Sequence, residues 1–153
     1  MKQGNEGEVI MKDVERILAA IGFSKYSRGI LEYAARLATC LDSSLLIANV
    51  INVRDMQAVS GIQSMGYEVD PQEYKEGVIK ERSIELEKLM EGIQFDRERL
   101  KTIFRVGHPL DILLKIVEEE KIDMVVMGPK GRTDLQHVLV GSVAEKMFRY
   151  CPV

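Results

Sequence analysis

The sequence predicts an α/β fold: an open parallel sheet with helices on both faces, a Rossmann-like sandwich. Three observations lead there. Short runs at residues 16–21, 45–51 and 122–127 are mostly apolar, as strands buried on both faces are, and the mixed run 100–106 reads as a further strand. The stretches between them carry apolar residues at spacings of three and four, the period of an amphipathic helix. Gly22, Gly107 and Gly128 close three of the runs. Strands that alternate with helices in this way pair in parallel through right-handed crossovers.

Taken in order, residues 1–13 show no periodicity and are expected to be a mobile arm, leaving 14–153 as one domain. Residues 16–21 form the first strand, and Ser24 or Ser27 is placed to cap the helix that comes next. In that helix Ile30, Leu31, Ala34, Leu37, Ala38 and Leu41 make one apolar stripe, and Cys40 beside them reads as a small buried hydrophobe. The second strand is 45–51. Residues 52–70, with Met56, Gly61, Met65 and Gly66, read as a long irregular connection and a candidate lid or interaction surface. A helix is expected over 71–93, edged by Tyr74, Val78, Leu86, Leu89 and Ile93 and weakened locally by Gly77. The third strand is 100–106. Pro109 suits the first turn of a helix that reaches about residue 120, with Ile112, Leu113, Ile116 and Val117 inward. The fourth strand is 122–127, and a last helix starts at Ser142.

Composition narrows the function. Apolar residues make up 46% of the 153 and charged residues 29%, with a net charge of −3 and no Lys/Arg-dense block, so nucleic acid is not the expected partner. No apolar stretch approaches a membrane span, and the polar N-terminus has no signal-peptide core, so a cytoplasmic protein is expected. Cys40 and Cys151 do not suggest a disulfide framework. His108 and His137 have no metal-ligand partner at short spacing. There is no GxxxxGK[ST] loop and no catalytic triad with local support, and no residue near the glycines is a clear general base.

The most informative stretch is 124–143. An apolar run ends at Gly128, Gly131 lies within the loop, and Gly141-Ser142 opens a helix. A helix N-terminus offers unpaired N–H donors and the positive end of its dipole to an anion, and glycines let the backbone turn at positive φ or come close to a phosphate. The spacing of Gly, two residues, Gly, nine residues and Gly-Ser resembles that of the universal stress protein family. The segments 131–134 and 140–146 are also similar to it, and the resemblance covers about 14–153.

That resemblance implies a five-stranded sheet in which the first and fourth strands lie side by side. The sequence stops at Cys151-Pro152-Val153, where the family begins its fifth strand, so this strand is expected to be truncated or missing here, either because the chain ends or because the sequence is cut short. The resemblance further implies an ATP-binding regulator of the stress response, a homodimer, with Mg²⁺ brought in by the triphosphate and an unidentified protein partner. It implies backbone contacts to the ribose from Met127 and Gly128, a turn at Gly131, and phosphate contacts from Gly141, Ser142 and Val143. Val50 matches a position that touches adenine, and Ala20 and Gly22 close the pocket. Lys130 and Arg132 read either as cations facing the phosphates or as solvated charges. Gly22 departs from the family, whose ATP-binding members carry an aspartate there; this chain reads Ile21-Gly22-Phe23-Ser24. Losing such a contact costs about 1–3 kcal/mol. Two alternatives arise: an interaction module that has lost useful ATP affinity, and a sensor of another adenine nucleotide such as AMP or cyclic AMP. No residue is assigned to catalysis, and ATP hydrolysis, if present, is expected to be slow.

Overall fold

The apolar runs form the strands, and every strand pairing is parallel. The structure, a computed structural model, describes residues 13–66, 68, 70–131 and 139–153. Along the chain these are β1 (Arg16–Ala20), α1 (Ser27–Cys40), β2 (Ser44–Asn52), α2 (Val53–Ser64), α3 (Pro71–Met90), a 3₁₀ turn (Arg97–Arg99), β3 (Leu100–Gly107), α4 (Pro109–Glu119), β4 (Met124–Met127) and α5 (Ser142–Tyr150). The sheet has four strands in the order β3-β2-β1-β4. Ala20 is the partner of Ala48 on one side and of Met127 on the other. The fifth strand implied by the family form is not among the described residues, and the arm expected over 1–13 lies outside them except for Asp13.

Side chains of a strand alternate between faces, so a run that is apolar at every position supplies two cores. On one face Ile17, Ala19 and Ile21 of the first run and Leu45 and Ile47 of β2 pack under Leu31, Ala34, Ala35 and Ala38 of α1 and Leu86 and Met90 of α3. On the other, Leu18, Ala20, Leu46 and Ala48 meet Leu113, Ile116 and Val117 of α4 and Met147 of α5. Each fully buried Leu or Ile contributes roughly 1.5–3 kcal/mol, so both layers are held mainly by this apolar contact. Pro109 stands in the first turn of α4 as expected. Gly107 is needed just before it, because a Cβ there would lie 2.5 Å from Ile112 Cγ1.

Several expectations need correction. Residues 53–64 are helical, not irregular: the Asn52 side chain accepts a hydrogen bond from Arg54 N–H, and Asp55 lies in the first turn. The helix was hard to see because Val59 is its one buried residue, so it shows little apolar periodicity. α3 stops at Met90 instead of reaching 93, because Gly92 adopts φ 78°, the left-handed turn that ends helices. Tyr74, on its expected apolar edge, is largely exposed. Cys40 is exposed, not buried. At 100° per residue it points away from the stripe centred on Leu31, Ala34 and Ala38, and Leu37 and Leu41 lie at that stripe's margin and are also exposed. Neither serine caps α1; its N-cap is Tyr26, without a side-chain hydrogen bond. Ser24 N–H donates to Ser27 Oγ at 2.9 Å and Tyr26 N–H to Ser24 Oγ at 3.3 Å, so the serines satisfy the turn before the helix instead.

Candidate functional site

The sheet order creates a crevice. From β1 the chain moves to β2 and β3 on one side and then returns to β4 on the other, so the connections leaving β1 and β4 part in opposite directions. Open α/β sheets bind ligands at such a reversal, beyond the carboxyl ends of the strands. Ala20 and Met127, the last residues of β1 and β4, are partners across it. Ala20 is buried in the α4/α5 face, where Val50, Met127 and Val143 pack against the same cluster, so these four expected site residues lie on one face of the sheet.

The loop after β4 is pressed against two helices. A Cβ on Gly128 would lie 2.9 Å from Ile30 Cδ1 and 3.5 Å from Tyr26 Cβ, where the strand end meets the first turn of α1. Gly141 N–H donates to Pro129 O at 2.6 Å, which folds the head of α5 back onto the loop. A Cβ on Gly141 would lie 3.4 Å from Pro129 O and 3.5 Å from Lys130 Cα. Gly131 differs: its Cβ would meet no atom of the described residues within 4 Å. None of these three glycines has a left-handed φ. The expectation of positive φ is thus corrected for this loop. A side chain at Gly128 would require Ile30 to shift, one at Gly141 would meet the loop at ordinary contact distance, and one at Gly131 would meet no atom of the described residues.

Gly141 is the N-cap of α5 and, having no side chain, makes no side-chain cap to the N–H groups of the first turn. Ser142 is exposed at that turn and Val143 is half-buried beneath it. Glu145 in the same turn is paired with Arg149 at 3.1 Å, which offsets its charge. Lys130 is half-buried in the loop. Arg132 lies outside the described residues, as does His137. Gly22 occupies the turn after β1, where Ile21 N–H donates to Ala48 O at 3.0 Å and Phe23 adopts φ 53°.

Gly128, Gly131 and Gly141 leave three positions of this loop without a side chain, and α5 begins at the last of them. Among the described residues no group of His, Cys, Asp or Glu is arranged to hold a metal ion, and no helix is long and apolar enough to cross a membrane. Sequence reasoning missed Asn49, whose Nδ2 donates to Ile21 O at 2.8 Å, and Arg82, which donates to Asn49 Oδ1. A signal was present for both: Asn49 interrupts the apolar run of β2, and Arg82 stands four residues from both Val78 and Leu86 on one helix face.

Comparison with known proteins agrees with this layout. The family described as "Universal stress protein family" matches residues 13–153. The universal stress protein MJ0577 of Methanocaldococcus jannaschii is 25% identical over 144 residues, covering 88% of each chain. A universal stress protein of Methanothermobacter thermautotrophicus is 33% identical over 89 residues, covering 54% of this chain and 60% of that protein. The solved structure of MJ0577 superposes with a TM-score of 0.74 at 25% identity, covering 92% of each chain. A universal stress protein crystallised in complex with cAMP has a TM-score of 0.62 at 19% identity, covering 93% of this chain and 94% of that one, and so shares the fold.

Proposed function

This chain belongs to the universal stress protein family, and on that premise we propose that it binds ATP at the carboxyl ends of β1 and β4 and acts in the stress response as a nucleotide-dependent switch. The observation that carries the reading is the doubled loop, in which Gly141 N–H bonds Pro129 O at 2.6 Å and so sets the uncapped head of α5 beside the Gly128–Gly131 turn. Gly141, Ser142 and Val143 hold the phosphates through N–H groups and the Ser142 hydroxyl, while Met127 and Gly128 meet the ribose. Ala20, Gly22 and Val50 close the base side, and Lys130 and Arg132 neutralise phosphate charge. Helix dipole and N–H donors act together on the anion, each favouring it by a fraction of a kcal/mol to a few kcal/mol. Mg²⁺ enters with the triphosphate. No residue is assigned to catalysis, and the working form is a cytoplasmic homodimer that changes protein partners with its nucleotide.

Gly22 favours a second reading. Without a carboxylate at this position the sugar and base lose an acceptor, which suits a different adenine nucleotide or a module that works through protein contacts alone. One relative of the same fold has been crystallised with cAMP. Thermal stability with millimolar ATP-Mg²⁺, AMP and cyclic AMP separates these readings. A ligand at a hundred times its dissociation constant stabilises by about 2.7 kcal/mol, which raises the melting temperature of a domain this size by roughly 5–10 °C. A shift with ATP supports the switch. A shift with AMP or cyclic AMP alone reassigns the ligand. No shift with any of them discards nucleotide binding in favour of the interaction module.

A further inference from the structure

Among the buried polar residues described, Asn49 of β2, 3% exposed, and Arg82 of α3, 8% exposed, meet on the α1/α3 face of the sheet. A guanidinium in such a place is costly unless its donors are used. Asn49 alternates with Ile47 and Ile51, so it points toward α3, and Arg82 lies on the inward stripe with Leu86. Arg82 Nη1 donates to Asn49 Oδ1, and Asn49 Nδ2 donates to Ile21 O at 2.8 Å. Ile21 is therefore tied to β2 twice, first by its N–H to Ala48 O at 3.0 Å and then by the Asn49 amide.

Immediately after Ile21 the chain enters the turn that borders the candidate site. Gly22 comes next, then Phe23 at φ 53°, a left-handed conformation that persists only where the surroundings hold it. The Phe23 ring lies 6.0 Å from Arg82 Cζ, so Arg82 reaches both sides of Gly22, one through Asn49 and one directly. Beyond the turn, Tyr26 and Ile30 are the residues packed against Gly128. A continuous set of contacts thus runs from α3 to the loop after β4.

We propose that Arg82 and Asn49 are positioning residues for the nucleotide site, holding the Ile21–Phe23 turn and coupling the placement of α3 to the Gly128 loop without touching the ligand. The proposal rests on the reading of this site as a nucleotide site. The Asn49 amide offers both the acceptor and the donor that the two contacts require. Because coupling is reciprocal, a partner that displaces α3 changes nucleotide affinity, and nucleotide changes affinity for that partner.

Two variants test this. The double variant Asn49→Val with Arg82→Met replaces the buried polar pair by apolar groups and takes the amide donor from Ile21 O, while leaving the apolar packing of the face in place. Asn49→Asp keeps an acceptor for Arg82 but removes the donor to Ile21 O. Amide hydrogen exchange at residues 22–24, compared with the amides of β1 and β2, reports on the turn whether or not nucleotide binds. Exchange there is expected to quicken by about tenfold or more in both variants, while the strand amides of the double variant stay protected. The ATP-Mg²⁺ dissociation constant should rise by about tenfold or more in parallel. Unchanged exchange at 22–24 overturns the proposal. Faster exchange with unchanged ATP affinity also overturns it, since the turn would then not position the ligand. If the unaltered protein binds no adenine nucleotide, the functional reading fails separately, and the exchange data alone decide whether the pair holds the turn.

Discussion

Gly131→Ala separates stability from binding more cleanly than any other change in the loop. The new methyl group meets no atom of the described residues within 4 Å, and the backbone there is not left-handed, so the folded state accepts it without strain. Its main effect on folding is to restrict the unfolded chain, worth about 0.4–1 kcal/mol in favour of the native state. For a domain of this size that is a rise of roughly 1–4 °C in melting temperature. The same methyl at Gly141 would stand at ordinary contact distance, 3.4 Å from Pro129 O and 3.5 Å from Lys130 Cα, so that substitution also alters the packing of the helix head on the loop. If the open space at Gly131 is where phosphate meets the loop, the methyl occupies it. ATP affinity should then fall by about tenfold or more, equivalent to about 1.4 kcal/mol. Calorimetric titration with ATP-Mg²⁺ beside a thermal scan measures both quantities on one preparation. A dissociation constant within about twofold of the unaltered protein, with the melting temperature held or raised, would refute the assignment of phosphate to this loop.

Two further outcomes are expected. Gly22→Asp supplies a carboxylate at the turn after β1 and should tighten ATP by one to two decades, about 1–3 kcal/mol; equal or weaker binding in the same titration would mean that this end of β1 is built for a different contact. On the edge strand β3, Arg105 Nη1 donates to Glu119 Oε2 at 2.7 Å, and this hydrogen bond above all, with the Arg105 and Lys115 charges, holds the Glu119 carboxyl below its ordinary value of 4.5 against the desolvation that raises it. A carboxyl whose pKa is lower folded than unfolded adds stability above its unfolded pKa and loses it as the pH falls through the folded one, so the pair matters only in the acid range. Arg105→Met should raise the Glu119 pKa and remove that contribution, as followed by carboxyl NMR; an unmoved titration would contradict the pairing.

The strands and most helices were legible because their signals are local. The apolar runs ending at Gly22, Gly107 and Gly128 matched β1, β3 and β4 to within a few residues, and Pro109 marked the start of α4. α2 was not legible, since a helix that buries little more than Val59 shows no stripe, and its N-cap, Asn52, is also a common loop residue. Cys40 was misplaced for a related reason: its apolar neighbours in sequence lie at the edge of the helix face that packs. Of the candidate site, the glycine spacing could be read directly, whereas the reason for each glycine could not. Gly128 answers to Ile30 and Tyr26, about a hundred residues earlier in the chain.

By itself the sequence determined the class of fold, the succession of its strands and of every helix but α2, and the loop in which a phosphate would be sought. These come from periodicity and turn chemistry, which depend on residues a few positions apart. Tertiary structure decided which strand ends share the crevice, which of the loop glycines is crowded and which open, and that Arg82 meets Asn49 across 33 residues to hold the carbonyl of Ile21. Close packing and buried hydrogen bonds arise only when distant segments are brought into contact, so no local pattern carries them.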